Sequence, residues 1–230
     1  MIHLIIFLLQ IIHLFLIVFF GLLLQFLQII AFLELGVGAV VQSSLYKPLA
    51  DKHNVTTSKI ITSANKFFKK LAYILLVYVV ILIFVYPLIS DDSFSPMYTA
   101  LLIISMCISS FAQYYFGIVD RLLLTADQRG YIQYNAQTIT LILNTLACAV
   151  LIYLGSSIHM VKLTTSLIYV ARPLVLRMYV NRNYDIDRNI EYDEEPIKQK
   201  WNGVSQHIAA VVLDSTDTIV LTMFATLADV

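Results

Sequence analysis

Apolar positions run almost unbroken from Met1 to Leu45, with Glu34 as the one charge and no proline. As a single helix this run would be roughly 67 Å long, about twice the hydrocarbon thickness of a bilayer. The pattern therefore predicts a fold-back near Phe20–Gly21, with spans over residues 5–20 and 22–46. Further apolar runs predict spans over 71–90, 97–119, 131–154 and 158–179, and a seventh near 204–224. Short polar turns separate them: Ser90–Pro96 (SDDSFSP), Asp120–Gly130 (DRLLLTADQRG) and Gly155–Ser157. The longest polar segment is 181–200, with six acidic and four basic residues and Pro196. It reads as a linker between a six-helix lobe over 1–180 and residues 201–230, the first helix of an incomplete second lobe. The expected fold class is an all-α, polytopic membrane protein of about seven transmembrane helices.

Ahead of the third span the period changes. Thr56 or Thr57 can cap a helix. Ile60, Ile61, Ala64, Phe67, Phe68 and Leu71 then share one face, and Lys59, Ser63, Lys66, Lys69 and Lys70 take the other. This predicts a basic amphipathic helix in the membrane interface, running into the third span. Its role is either a topological anchor near anionic headgroups or a lipid-binding or gating element. Gly36 and Gly38 form a small-residue face that another helix can approach closely.

Charge adds orientation. Fourteen of the fifteen Lys and Arg residues fall in Lys47–Lys70, Arg121–Arg129 and Arg172–Lys200; the exception is Lys162. An apolar stretch that leaves one cluster and returns to the next is an out-and-back hairpin, so all three clusters share a side. The positive-inside rule makes that side the cytoplasm, with the N-terminus and the 181–200 linker on it. Tyr46, Tyr86, Tyr98, Tyr114, Tyr115, Tyr131, Tyr153 and Tyr179 lie near predicted span ends, as an interfacial aromatic belt does.

Composition supports the class. Charged residues make up 13% of the 230, against about 25% in soluble domains. The net charge of zero leaves no basic surplus for nucleic acid. Cys107 and Cys148 fall in predicted spans as small packing residues. No P-loop, dinucleotide-binding turn, HExxH or GxSxG motif occurs, and the five histidines have no metal-ligand spacing. No metal, cofactor or enzymatic activity is expected.

The informative polar residues lie within spans, where a charge costs at least ~2.5–3.5 kcal/mol and so faces a cavity or a partner. Glu34 reads either as an ion-coupling or substrate contact, or as a structural pair between helices. Arg172, beside Pro173, could grip a phosphate in bidentate fashion or snorkel to the headgroups. Pro173 should open its helix locally. Asp214 and Asp217 share a helix face with Ser215, Thr216 and Thr218. They could bind a cation, relay protons, pair with Arg172, or make a polar helix–helix contact.

Three segments carry a family resemblance: LELGVGAVVQSSLYKPLAD (Leu33–Asp51), FAQYYFGIVDRLLLTADQRGYIQ (Phe111–Gln133) and EPIKQKWNGVSQHIAAVVLDSTDTIVL (Glu195–Leu221). Together they resemble the polysaccharide-biosynthesis, Wzx-like flippases of the multidrug/oligosaccharidyl-lipid/polysaccharide exporter superfamily. The resemblance implies two six-helix lobes around a central cavity in the bacterial inner membrane. It also implies alternating access and a substrate of undecaprenyl-pyrophosphate-linked oligosaccharide, with membrane lipids as the other partners. Glu34, Asp214 and Asp217 within those segments, and Arg172 between them, match polar positions of the family. Family members are about twice this long, so the chain corresponds to the first lobe plus one helix, either as a fragment or as a non-functional remnant. A multidrug/cation antiporter of the same superfamily is the competing transporter reading. A membrane-embedded polymerase or ligase is disfavoured by external turns too short to house a site.

Overall fold

The computed structural model describes residues 34, 36–89, 96–192 and 194–197, together with positions 202, 203, 205, 206 and 209. These residues form a helical bundle with no strand among them. Helix α1 covers residues 36–50. It is followed by α2 (Asn54–Ile89), α3 (Pro96–Ala112), a π-helical turn (Gln113–Gly117), α4 (Ile118–Ala126), α5 (Gly130–Tyr153) and α6 (Ile158–Asn183).

Among the described residues three helical segments are long and apolar enough to cross a membrane: Asn54–Phe84, Ala100–Ala126 and Gly130–Tyr153. The outer face of α5 carries Leu141, Ile142, Leu146, Val150 and Ile152, all more than half exposed. A contiguous apolar face of this kind is a liability in water and ordinary against lipid. The expected spans over 5–20 and 204–224, and the turn at Phe20–Gly21, fall outside the described residues.

The core gathers where α1, α2 and α4 meet. Val37, Val41 and Leu45 of α1 join Ile61, Ala64, Phe68 and Leu75 of α2 and Ile118, Leu123 and Leu124 of α4. Gly38 permits the α1–α4 approach: a Cβ there would lie 3.3 Å from Leu122. At Gly203 a Cβ would lie 2.6 Å from the Gly36 carbonyl oxygen, so a second backbone also closes on the small-residue face of α1.

Helix α5 and helix α6 form an antiparallel hairpin. Gly155 turns the chain at φ +70°, and the Ser157 hydroxyl accepts the Met160 N–H at 3.5 Å as the α6 N-cap. Cys148 Sγ contacts Thr165 Oγ1 at 3.3 Å across the pair, and Ser166 Oγ donates to the Ser105 carbonyl, tying α6 to α3.

Several local expectations are corrected. The interfacial helix begins at Asn54, and Thr57 lies inside it, its hydroxyl donating to the His53 carbonyl at 3.0 Å rather than capping. That helix and the third span are one 36-residue rod, roughly 54 Å long at 1.5 Å per residue, so its basic first half lies beyond the apolar second half. Residues 120–126, expected in a turn, are helical, and only 127–129 turn, with Gln128 at φ +60°. Pro173 does not open α6, which runs through it to Asn183. The irregularity falls in the neighbouring helix: Ile118 N–H bonds to the Gln113 carbonyl five residues back, the π-helical pairing. Gly117 sits against Pro173, where a Cβ would come within 2.6 Å of the proline Cβ. Tyr46, Tyr131 and Tyr153 are exposed near helix ends, but Tyr114 is buried. The side chains of Tyr86 and Tyr98 lie outside the described set.

Residues 184–197, expected as a linker, pack as a strap across the basic half of α2. Asp187 N–H donates to Ser58 Oγ at 3.1 Å, and its carbonyl accepts Thr62 Oγ1 at 3.4 Å. Asn54 Nδ2 donates to Asp185 Oδ2 at 3.3 Å, Ser63 Oγ donates to Glu195, and Ile197 is buried in the core. Ser63, expected on an outer polar face, is therefore covered. Among the described residues, the strap lies against Lys66 of the first basic cluster through Tyr192 and against Arg129 of the second through Tyr184.

Candidate functional site

Glu34, just ahead of α1, accepts a charged hydrogen bond from Arg121 Nη2 of α4. Tyr114, buried in the π-helical turn, lies within electrostatic reach of Glu34. The pair opens onto a cleft of about 330 Å³ between α1, α4 and α5. Gly38 and Leu122 form apolar wall, and Gln42, Thr125, Gln133 and Tyr134 supply neutral hydrogen-bonding groups.

Arg172 comes to the same region from α6. Its Nη2 donates to Gln113 Oε1 at 3.1 Å, and it lies within electrostatic reach of both Arg121 and Glu34. The Arg172 side chain turns to the π-helical turn of the bundle. Two guanidiniums with one carboxylate leave a net positive charge. Their planar forks suit phosphate or carboxylate oxygens better than ammonium groups would.

The basic face of α2 is only partly open. Lys66 Nζ stands 4.5 Å over the Tyr192 ring of the strap, and Lys69 Nζ lies 5.0 Å over Tyr115. Lys59 is half-buried and Lys70 exposed. Asp214 and Asp217 lie outside the described residues.

A second ionic cluster holds the strap. Arg188 Nη2 donates to Asp120 Oδ1 at 2.7 Å and to Asn181 Oδ1 at 3.1 Å. The Asp120 side chain has no exposed surface. Arg177 of α6 stacks 5.6 Å from the Phe116 ring and lies within electrostatic reach of Asp120 and Arg188. Nearby, Tyr184 Oη donates to Asp127 Oδ2 at 2.5 Å, and Arg129 Nε bridges to the same oxygen at 3.0 Å. Burial first, and then the Asp127 hydrogen bond, raise the Tyr184 phenol above its ordinary value.

Sequence reasoning found Glu34 and Arg172 but missed Arg121, Asp120, Gln113, Tyr114 and Arg188. The available signal was the stretch IVDRLLLTA, which has no Gly or Pro and reads as helix rather than turn. Placing Asp120 and Arg121 on a helix would have turned them from loop charges into charges needing partners. Compared with protein-family models, with curated proteins and with solved structures, the chain gave no match.

Proposed function

We propose that this chain is a six-helix membrane lobe, with the first helix of a second lobe, of a flippase that carries lipid-linked oligosaccharide to the outer leaflet of a bacterial inner membrane. The observation that carries the reading is the Arg121–Glu34 pair on the wall of the cleft, with Arg172 within electrostatic reach of both. The resemblance of Leu33–Asp51, Phe111–Gln133 and Glu195–Leu221 to Wzx-like flippases supports it. No covalent chemistry takes place. The guanidiniums receive the pyrophosphate, Gln42, Thr125, Gln133 and Tyr134 meet the sugar, and the lipid tail stays in the bilayer. A second lobe completes the cavity, and rocking of the lobes exposes the head group to each side in turn. The cytoplasmic side is the one that carries the clusters.

Flipping of a fluorescent undecaprenyl-pyrophosphoryl sugar in reconstituted vesicles, read as label protected from an external quencher, tests this. Arg121→Ala and Arg172→Ala should each slow flipping about 10- to 100-fold, the loss of one charge-assisted contact of ~1.5–3 kcal/mol. Rates equal to the parent in both variants would remove the guanidinium site from transport. Glu34 and Tyr134 on the cleft wall favour a second reading, a cation antiporter. Uptake of an organic cation that survives Arg121→Ala but is lost in Glu34→Gln would select it.

A further inference from the structure

Asp120 and Arg121 are adjacent on α4, about 100° apart around its axis. One is held by Arg188 of the strap and the other by Glu34 at the cleft. The same short helix, nine residues long, therefore carries both anchors. Immediately before it lies the π-helical turn Gln113–Gly117, closed by the Ile118 N–H to the Gln113 carbonyl. A π turn holds one residue more than the α-helix it interrupts. Restoring α-helical pairing there turns α4 by one residue step, ~100° about its axis. Neither Asp120 nor Arg121 keeps its partner after such a turn.

Helix α6 holds the π turn in place through three consecutive contacts. Arg172 bonds to Gln113, Pro173 abuts Gly117, and Arg177 stacks on Phe116. The strap continues directly from the end of α6 and returns Arg188 to Asp120. The turn, the strap anchor and the cleft anchor thus form one mechanical loop with no slack residue between Gly117 and Arg121.

We infer that strap docking and cleft pairing are a single coupled equilibrium, carried by α4 and switched at the π-helical turn. With the turn in π form, Arg121 sits on Glu34 and the strap covers the basic half of α2. With the turn in α form, Arg121 leaves the cleft, Asp120 releases Arg188, and Ser58, Thr62 and Ser63 are uncovered. Linkage is reciprocal: a change that weakens one anchor weakens the other by the same factor, about 5- to 150-fold for coupled sites.

Amide hydrogen exchange on the full chain in lipid nanodiscs tests this without any ligand, so its failure leaves the flippase reading standing. Among the described residues the Glu34 side chain pairs with Arg121 and not with the strap, so Glu34→Gln addresses the coupling alone. It should speed exchange of the 184–192 strap and of Ile118–Ala126 together by about 5- to 150-fold, with α5 unchanged. Arg121→Lys is the second variant and should act in the same direction. Gln42→Ala, in the same cleft but outside the ion pair, should leave the strap as in the parent. Strap exchange at the parent rate in both Glu34→Gln and Arg121→Lys overturns the inference. So does faster exchange throughout α5, which marks general destabilisation, or a Gln42→Ala response equal to that of Glu34→Gln.

Discussion

Asp120 and Arg121 share a peptide bond and occupy opposite settings. Asp120 is fully enclosed beneath the strap, whereas the Arg121 side chain keeps about a quarter of its surface open beside the cleft. A buried ion pair compensates a desolvation cost that neither partner can bear alone, so it acts as a structural fastener. A part-exposed pair is cheaper to open, and an anion entering the cleft can replace the carboxylate with its own oxygens. One residue step around α4 thus separates a fastener from an exchangeable contact.

The sharpest way to break this contrast is to remove one partner from each pair. Arg188→Ala leaves Asp120 buried without its ion-pair partner, and should cost about 3–5 kcal/mol in unfolding monitored by helical circular dichroism in detergent. The double variant Asp120→Leu with Arg188→Met should recover most of that loss, because well-packed apolar groups replace a buried pair at little net cost. If the double variant is as unstable as Arg188→Ala, the fastener is more than a neutralised charge.

Next in size is Gly117→Ala. The added Cβ would lie 2.6 Å from the Pro173 Cβ, and neither atom is the end of a flexible side chain. Overpacking there should cost about 1–3 kcal/mol in the same unfolding measurement. Gly38→Ala, with 3.3 Å to a flexible Leu122, should cost less.

Arg121→Ala should cost about 1–2 kcal/mol, clearly below Arg188→Ala, because the Glu34 carboxylate it strands lines the cleft and can reach water there. Equal losses for the two arginine variants would erase the distinction between the pairs.

The smallest expected effect is alkaline. Tyr184 is held above its ordinary value of 10.0, first by burial and then by its bond to Asp127. The folded form thus keeps the proton that the unfolded form releases. Its stabilisation is fully present below pH 10 and declines as pH rises beyond it. Strap protection should fall above pH 10, and Tyr184→Phe should flatten that part of the profile, read by amide exchange of residues 184–192.

Much of the fold was legible in the chain because lipid imposes a length and basic residues avoid crossing it. Helix α5 and the turn at Gly155 match the expected limits within a residue, and α6 starts at Ile158 as expected but runs four residues past 179, since apolar runs between turn signals leave few alternatives. The strap was not legible: acidic, basic and proline residues over 181–200 look like a solvated linker in sequence. Their partners Ser58, Thr62, Ser63 and Asp120 are more than 65 residues away along the chain. Glu34 and Arg172 could be picked out because isolated charges in apolar runs demand partners, but nothing local says which partners.

The sequence by itself determined the helical class and the apolar segments, because hydrophobic length acts segment by segment. Only the tertiary structure decided that Asp120 closes the strap while Arg121 faces the cleft. It also decided that Pro173 leaves its own helix regular while the helix it abuts carries the π-helical turn. Those outcomes depend on which helix faces lie against each other, and a rotation of one residue would exchange them.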